Sequence, residues 1–308
     1  MQDIKVKVGI VILTYNSEKV IKDCLESAQN IDYQNLEIVV VDNCSHDHTC
    51  TIVKNDFPNI TLIMNEQNWG YAEGNNIGIR YLIQQKNVDY IIVLNDDTVV
   101  TNKLVSKLLE PFYENEKIGI TGPIITYEQE RNRIWFAGGY LNKVFFYTKH
   151  PHMNELLDNQ QIVTKCNFIT GCCMCISKEV IDKVGMLNKD YFMYFEDVEF
   201  CLRAKQHGFE IALVKENLVY HKVSASAGIK GTNKLTKLRA YYIARNPLMC
   251  IKEHVHGTIR IFNVIGQLVI RLPYYVRKCI KEKTYDSIPQ YLLGVINGIK
   301  FESIKEKQ

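Results

Sequence analysis

Between Val6 and Val100 the chain repeats one device four times: an apolar run that stops abruptly on polar residues. Val6–Leu13 reads as a strand buried on both faces and breaks at Thr14-Tyr15-Asn16-Ser17. Leu36–Val41 ends at Asp42-Asn43-Cys44-Ser45-His46-Asp47, Ile60–Met64 leads into Asn65–Tyr71, and Tyr90–Leu94 ends at Asn95-Asp96-Asp97. The stretches between them carry helical periodicity. Ser17 or Asn16 can cap a helix through Val20, Ile21, Cys24, Leu25 and Ala28. A second helix has Thr49, Ile52, Val53 and Phe57 on its apolar side, and a third runs from Gly74 to Gln85. This β-α-β-α-β-α-β order predicts an α/β fold with a mostly parallel sheet and right-handed crossovers. It also places every polar cluster on the carboxyl edge, where such sheets bind ligands.

Asp96 and Asp97 are the most demanding of these polar ends. Two adjacent carboxylates there are costly unless something positive neutralises them, and a divalent cation bound to phosphate meets that need. A helix cap with a solvated neighbour also accounts for such a pair. In Asn68–Asn76, Gly70 and Gly74 permit close backbone approach, and the N-terminus of the third helix offers free N–H groups to an anion.

The remainder is less regular. Residues 126–165 mix Gly138-Gly139, aromatics and His150-Pro151-His152, as expected of loops and hairpins forming a variable substrate wall. Cys166–Ser177 returns to strand character, Lys178–Val184 reads as a helix, and Ile211–Val219 as a short strand. Ten cysteines in 308 residues are expected to be small buried hydrophobes of a reducing cytosol rather than a disulfide framework or a zinc site. Met1–Lys5 leads into the first strand without an apolar leader, and no run reaches the length of a spanning helix.

Charge divides the chain. Residues 1–229 hold 22 Lys/Arg against 29 Asp/Glu, whereas residues 230–308 hold 15 against 5. An acidic body with a basic tail suggests an anionic partner such as a membrane surface or a diphosphate; with no recognisable reading module, nucleic acid is not expected. Within the tail, Arg260, Asn263, Gln267 and Arg271 draw one narrow polar stripe on a helix otherwise made of Ile, Phe, Val and Leu. Pro273 is expected to kink or end that helix, and Arg277, Lys278, Lys281 and Lys283 follow. The pattern suits an interfacial helix on an anionic bilayer, or one packed on the body or on the partner of a homodimer.

Taken together, the motifs resemble the family 2 glycosyltransferases, inverting enzymes of the GT-A nucleotide-diphospho-sugar fold, and within them the bacterial rhamnosyltransferase-type branch. The resemblance runs from Val8 to Asn246 and rests on order. Thr14-Tyr15-Asn16, Val41–Asp47, Asn68–Asn76 and Leu94–Asp97 come first, then Gly171-Cys172, Phe195–Arg203, Tyr220-His221 and Arg245-Asn246. It implies a transferase body over 1–250, with a nucleotide-binding half over 1–100 and an acceptor and catalytic half over 101–250, followed by a helical tail over 251–308.

The resemblance also implies roles. Asp42 would accept from the donor's base or ribose, with Thr14, Tyr15, Asn16 and Asn43 beside it; Asn68, Gly70, Asn75 and Asn76 would line the donor. In the metal-binding position usually written Asp-x-Asp, this chain has Asn95 first. Asp97 then becomes the main ligand of Mn²⁺ or Mg²⁺, with Asn95 and Asp96 toward the ribose and His221 completing the protein's share. Asp197 would be the base that takes the acceptor's proton, and Glu196 would hold the acceptor or orient the base. Arg203 is expected to pair with one of these acids, and Arg245 to face the diphosphate or the acceptor. The basic segment Lys222–Lys234 would close over the donor. The implied partners are a nucleotide-sugar donor, such as dTDP-rhamnose or a UDP-sugar, and a glycan acceptor on a lipid carrier. The implied place is the inner face of a bacterial plasma membrane. A sugar-nucleotide pyrophosphorylase would need a Gly-rich basic loop that Val8–Ser17 lacks. A degenerate scaffold would have no need of both Asp97 and Asp197.

Overall fold

The computed structural model describes residues 6–158, 162, 166–223 and 236–302; the expected closing segment falls almost wholly outside them. The first half follows the sequence pattern. Strands β1 (Val8–Thr14), β2 (Leu36–Asp42), β3 (Thr61–Met64) and β4 (Tyr90–Asn95) alternate with helices α1 (Ile21–Gln29), α2 (Thr49–Asp56) and α3 (Gly70–Lys86). All pairings among these strands are parallel, with Thr14 level with Asp42 and Leu13 level with Asn95. The polar ends therefore share one edge.

Next come β5 (Thr98–Val100), α4 (Leu104–Glu114), β6 (Ile118–Tyr127), β7 (Ile134–Phe136) and the hairpin β8 (Tyr140–Asn142) with β9 (Tyr147–Lys149). They are followed by β10 (Cys173–Ser177), α5 (Lys178–Val184), α6 (Glu196–Gln206) and β11 (Glu210–His221). Among the described residues nine strands form one sheet, ordered β3-β2-β1-β4-β10-β6-β11-β5, with β7 on β6. Strand β10 runs antiparallel to both β4 and β6, so the sheet is parallel in its first half and mixed beyond. That insertion lays Cys172 against the end of β4, where the Asn95 N–H donates to its carbonyl at 2.9 Å. All ten cysteines are free and eight are buried.

Two local expectations are corrected. Helix α1 begins at Ile21 with no side-chain cap; the Ser17 carbonyl accepts from Ile21 instead. Helix α3 begins at Gly70, four residues before Gly74, because its small residues let it lie against the sheet. A Cβ on Gly74 would come within 2.5 Å of Leu13, and one on Gly78 within 2.5 Å of Val11.

The C-terminal part holds α7 (Lys237–His254), α8 (Thr258–Gly266), α9 (Leu272–Lys281) and α10 (Ser287–Lys300). The helix does not end at Pro273: a π-helical turn over Gln267–Arg271 joins α8 to α9 ahead of the proline. A second small core, with Ala240, Ala244, Leu248, Cys279, Tyr291 and Val295, ties α7 to α9 and α10. Among the described residues no helix is long and apolar enough to cross a membrane.

Candidate active site

The ends of β1 and β2 build a rigid floor. Asp42 is buried and accepts from Thr14 Oγ1 at 2.9 Å, from the Ser45 N–H at 2.8 Å and from Ser45 Oγ at 2.6 Å. Asp42 thus closes a turn with Ser45, while Asp47, ahead of α2, accepts from the Thr49 N–H at 3.0 Å. Asn16 ties the two strand-end loops together, donating its N–H to Ser45 Oγ and accepting from the His46 N–H, both at 2.8 Å. Asn43 donates to the Gly70 carbonyl at 3.0 Å and accepts from Asn65 Nδ2 at 2.8 Å, which fixes β2 to the start of α3. Tyr15 and Trp69 stand exposed on this edge.

The start of α3 is not the open anion site its glycines suggest. Asn68 Oδ1 accepts from the Gly70 N–H at 2.8 Å, and the Phe192 carbonyl accepts from Tyr71 and Ala72 at 2.5 and 3.2 Å. Gly70, at φ 78°, leaves room for Phe192 rather than for a phosphate, since a Cβ there would meet the ring at 2.5 Å. Asn76 is likewise committed: it donates to the Leu187 carbonyl at 2.8 Å and accepts from the Leu187 N–H at 3.1 Å. Asn75 donates to the Tyr71 carbonyl at 2.9 Å, and its Oδ1 is buried without a partner.

Asp96 and Asp97 occupy the turn between β4 and β5. Ser17 Oγ donates to Asp96, whose carboxyl is pushed up to about 7 by burial and by the Asp97 charge beside it. Asp97 Oδ1 lies 2.9 Å from His221 Nε2, a meeting of residues 124 positions apart made by the antiparallel register of β5 with β11. Both are buried, Trp135 packs edge-on to the imidazole with centroids 4.3 Å apart, and His221 Nδ1 is buried without a partner. Carboxylates and an imidazole are donors of the kind Mn²⁺ and Mg²⁺ accept, but Asp96, Asp97 and His221 are not gathered into one three-ligand cluster here, the Asp96 carboxyl being held by Ser17.

The acids of α6 reach the same edge. The Gly171 N–H donates to Asp197 Oδ2 at 3.0 Å, and the Val198 N–H to Oδ1 at 2.7 Å. Tyr71 on α3 donates its hydroxyl to the Gly171 carbonyl at 2.5 Å. Because Gly171-Cys172 leads into β10 beside the end of β4, Asp197 faces the same region as the Asp96-Asp97 turn. Burial raises Asp197, opposed by its backbone donors; Glu196 is held well above the carboxylate range by burial and by Asp197.

Arg245 and Asn246 do a different job from the one their motif implies. The Asn246 amide lies 2.9, 2.9 and 2.6 Å from the carbonyls of Tyr191, Met193 and Tyr194, and Arg245 donates to the Asp190 carbonyl and to Asn246 Oδ1. They brace a segment in which Phe192, Tyr194 and Phe195 have φ of 59°, 65° and 75°. Left-handed residues of this kind cost about 1–3 kcal/mol each and persist only where the surroundings hold them. The acids of α6 are presented by that braced turn.

Glu199 makes the expected pair with Arg203, at 2.8 and 3.1 Å, and a further one with His254 at 2.9 Å that no sequence motif announces. Glu199, Glu253 and His254 could together hold a metal ion, but Arg203 engages Glu199 and Tyr191 donates to Glu253 at 2.8 Å. The cluster therefore reads as an ion-pair tie between α6 and α7. Ser17 and Tyr71, which hold Asp96 and Gly171, were given no site role by the sequence, where Ser17 read as a helix cap and Tyr71 as one residue of the Asn68–Asn76 motif.

Comparisons with known proteins bear on the family and the fold. The family model described as Glycosyl transferase family 2 matches residues 9–185. The dTDP-rhamnosyl transferase RfbF of Shigella flexneri is 28% identical over 294 residues, covering 94% of each chain. The low-salt glycan biosynthesis hexosyltransferase Agl10 of Haloferax volcanii is 25% identical over 295 residues, 95% of this chain and 91% of its own. Among solved structures, the mannosyltransferase PcManGT of Pyrobaculum calidifontis, in complex with GDP-Man and Mn²⁺, superposes with a TM-score of 0.57. It is 13% identical over 97% of this chain and 90% of its own. With a GT-A-like fold and a family match over more than half its length, the chain belongs to glycosyl transferase family 2.

Proposed function

We propose that the protein is a metal-dependent inverting transferase that moves a sugar from a nucleotide-diphosphate donor to a hydroxyl of a glycan acceptor. The donor is dTDP-rhamnose or a UDP-sugar, and the acceptor a lipid-linked glycan of a bacterial surface polysaccharide, handled at the inner face of the plasma membrane. The observation that carries this reading is the convergence of Asp197, held by Gly171, with the Asp97–His221 pair on one sheet edge.

Asp97 and His221 would hold Mn²⁺ or Mg²⁺, with Asn95 and Asp96 toward the ribose. When bound there, the ion supplies positive charge to the departing diphosphate. Asp42 and the fixed loops of Thr14, Tyr15, Asn16 and Asn43 receive the nucleoside. Asp197 removes the acceptor's hydroxyl proton as that oxygen attacks the anomeric carbon from the face opposite the leaving group, which inverts the configuration. A carboxylate raised by burial is a stronger base than one in water. Glu196, its carboxyl raised well above the usual range by burial and by Asp197 and its Oε2 left unpartnered, stands ready to hydrogen-bond the incoming acceptor.

The reading is supported if Asp197→Asn lowers transfer and slow donor hydrolysis at least about a thousandfold while leaving donor affinity within about threefold. Wild-type transfer by that variant would remove Asp197 from the mechanism.

A further inference from the structure

The stripe Arg260, Asn263, Gln267 and Arg271 faces inward. Asn263 is fully buried and donates to the carbonyls of Lys143 and Val144 at 2.9 and 2.6 Å. Gln267 is 4% exposed and donates to those of Phe145 and Phe146 at 3.1 and 2.8 Å. Arg271 reaches Tyr275 on the next turn. Val264 and Leu268 pack on the core, but most apolar residues of the same helix point the other way: Ile261 is 62% exposed, Phe262 59% and Val269 66%. A helix lying against a protein in water places its apolar side on the core and its polar side outward. This one is inverted.

The inversion is not confined to one helix. Of 21 exposed large hydrophobic side chains among the described residues, 13 fall between Ile259 and Ile299. Helix α10 seats Gly294 and Gly298 on the backbone of α7 and leaves Leu292, Leu293, Ile296 and Ile299 exposed. The β8–β9 turn, gripped by Asn263 and Gln267, adds exposed Val144 and Phe145 beside an exposed Lys143. Soluble monomers rarely expose a contiguous apolar surface on this scale.

Charge identifies the occupant. Residues 258–300 carry 7 Lys/Arg against 2 Asp/Glu, and Arg277, Lys281 and Lys283 are exposed where α9 ends. We infer that α8, α9 and α10, with the tip of the β8–β9 hairpin, form an in-plane docking face for an anionic lipid bilayer. The apolar side chains enter the headgroup and acyl boundary, and the cations meet the lipid phosphates. A second copy of the chain would bring the same cations against one another. The polar stripe anchors the helix to the body, so its apolar face is already turned outward before any membrane is met. The inference deepens the proposed handling of a lipid-linked acceptor, and rests on it for the reason a bilayer should be near.

The test uses the full chain with sedimenting vesicles and needs no donor, so its failure is separate from failure of the transferase reading. Partition onto phosphatidylcholine vesicles containing phosphatidylglycerol should exceed that onto phosphatidylcholine alone by at least about tenfold, and fall as salt rises. The double substitution Ile261→Glu, Phe262→Glu should lower it at least about tenfold, and Arg277→Glu with Lys281→Glu should lower it on anionic vesicles. Circular dichroism and thermal melting serve as the folding control, since all four positions are exposed. A chain that stays in solution with anionic vesicles, or partition indifferent to Ile261 and Phe262, overturns the inference. So does a dimer in sedimentation velocity that the same pair dissociates without any vesicle binding, which would give the face to a second copy.

Discussion

Burial and the neighbouring Asp197 charge hold the Glu196 carboxyl well above 4.5, the ordinary value at which it would ionise in the unfolded chain. The folded state therefore holds a proton that the unfolded state has released, and this group's contribution falls as pH rises above about 4.5. Glu196→Gln, neutral at every pH, should remove that loss. In thermal melts from about pH 5 to about pH 8, the variant should gain on wild type as pH rises; parallel curves would show that Glu196 ionises alike in both states. Not every residue role could be read in advance. Asp42, Asp97, Asp197 and His221 announce themselves as acids or imidazole at strand and helix ends. Asn76, Arg245 and Asn246 look equally like ligand contacts. Their partners are backbone groups of Leu187, Asp190 and Tyr191–Tyr194, more than fifty positions away, and no local pattern encodes that.

At the scale of elements, the central device is α7 acting on the segment before α6. Asn246 is fully buried, and losing its amide would remove the two N–H donors shared among three carbonyls in a segment already held in left-handed conformations. Asn246→Ala should cost about 2–4 kcal/mol in urea unfolding; a cost under about 0.5 kcal/mol would mean the segment holds itself. The first four strands were legible because each apolar run ends on polar residues. The early start of α3 was not, since Gly70, Gly74 and Gly78 argue against a helix until Phe192 requires a small residue at the first and the sheet beneath at the other two. The polar stripe of α8 was equally plain, but its direction depends on the β8–β9 carbonyls that it grips.

At the scale of the molecule, α7 joins two functions. The carbonyls of Tyr241 and Arg245 would lie 2.3 and 2.8 Å from Cβ atoms placed on Gly294 and Gly298 of α10, while Asn246, next to Arg245, braces the turn that presents Asp197. The helices proposed to face lipid and the turn proposed to present the catalytic acid are thus fixed to one element, which on that proposal would set the orientation of the acceptor side of the site relative to the bilayer. Donor recognition through the carboxylates of the β4–β5 turn is the step on which the proposed reaction depends most. The measurement that tests it most directly is calorimetric titration of dTDP-, UDP- and GDP-sugars into the full chain with Mn²⁺, repeated with EDTA. The account predicts binding of one donor class, lost at least about tenfold on chelation. Binding that survives EDTA unchanged, or a panel in which no nucleotide sugar binds with metal present, would contradict it.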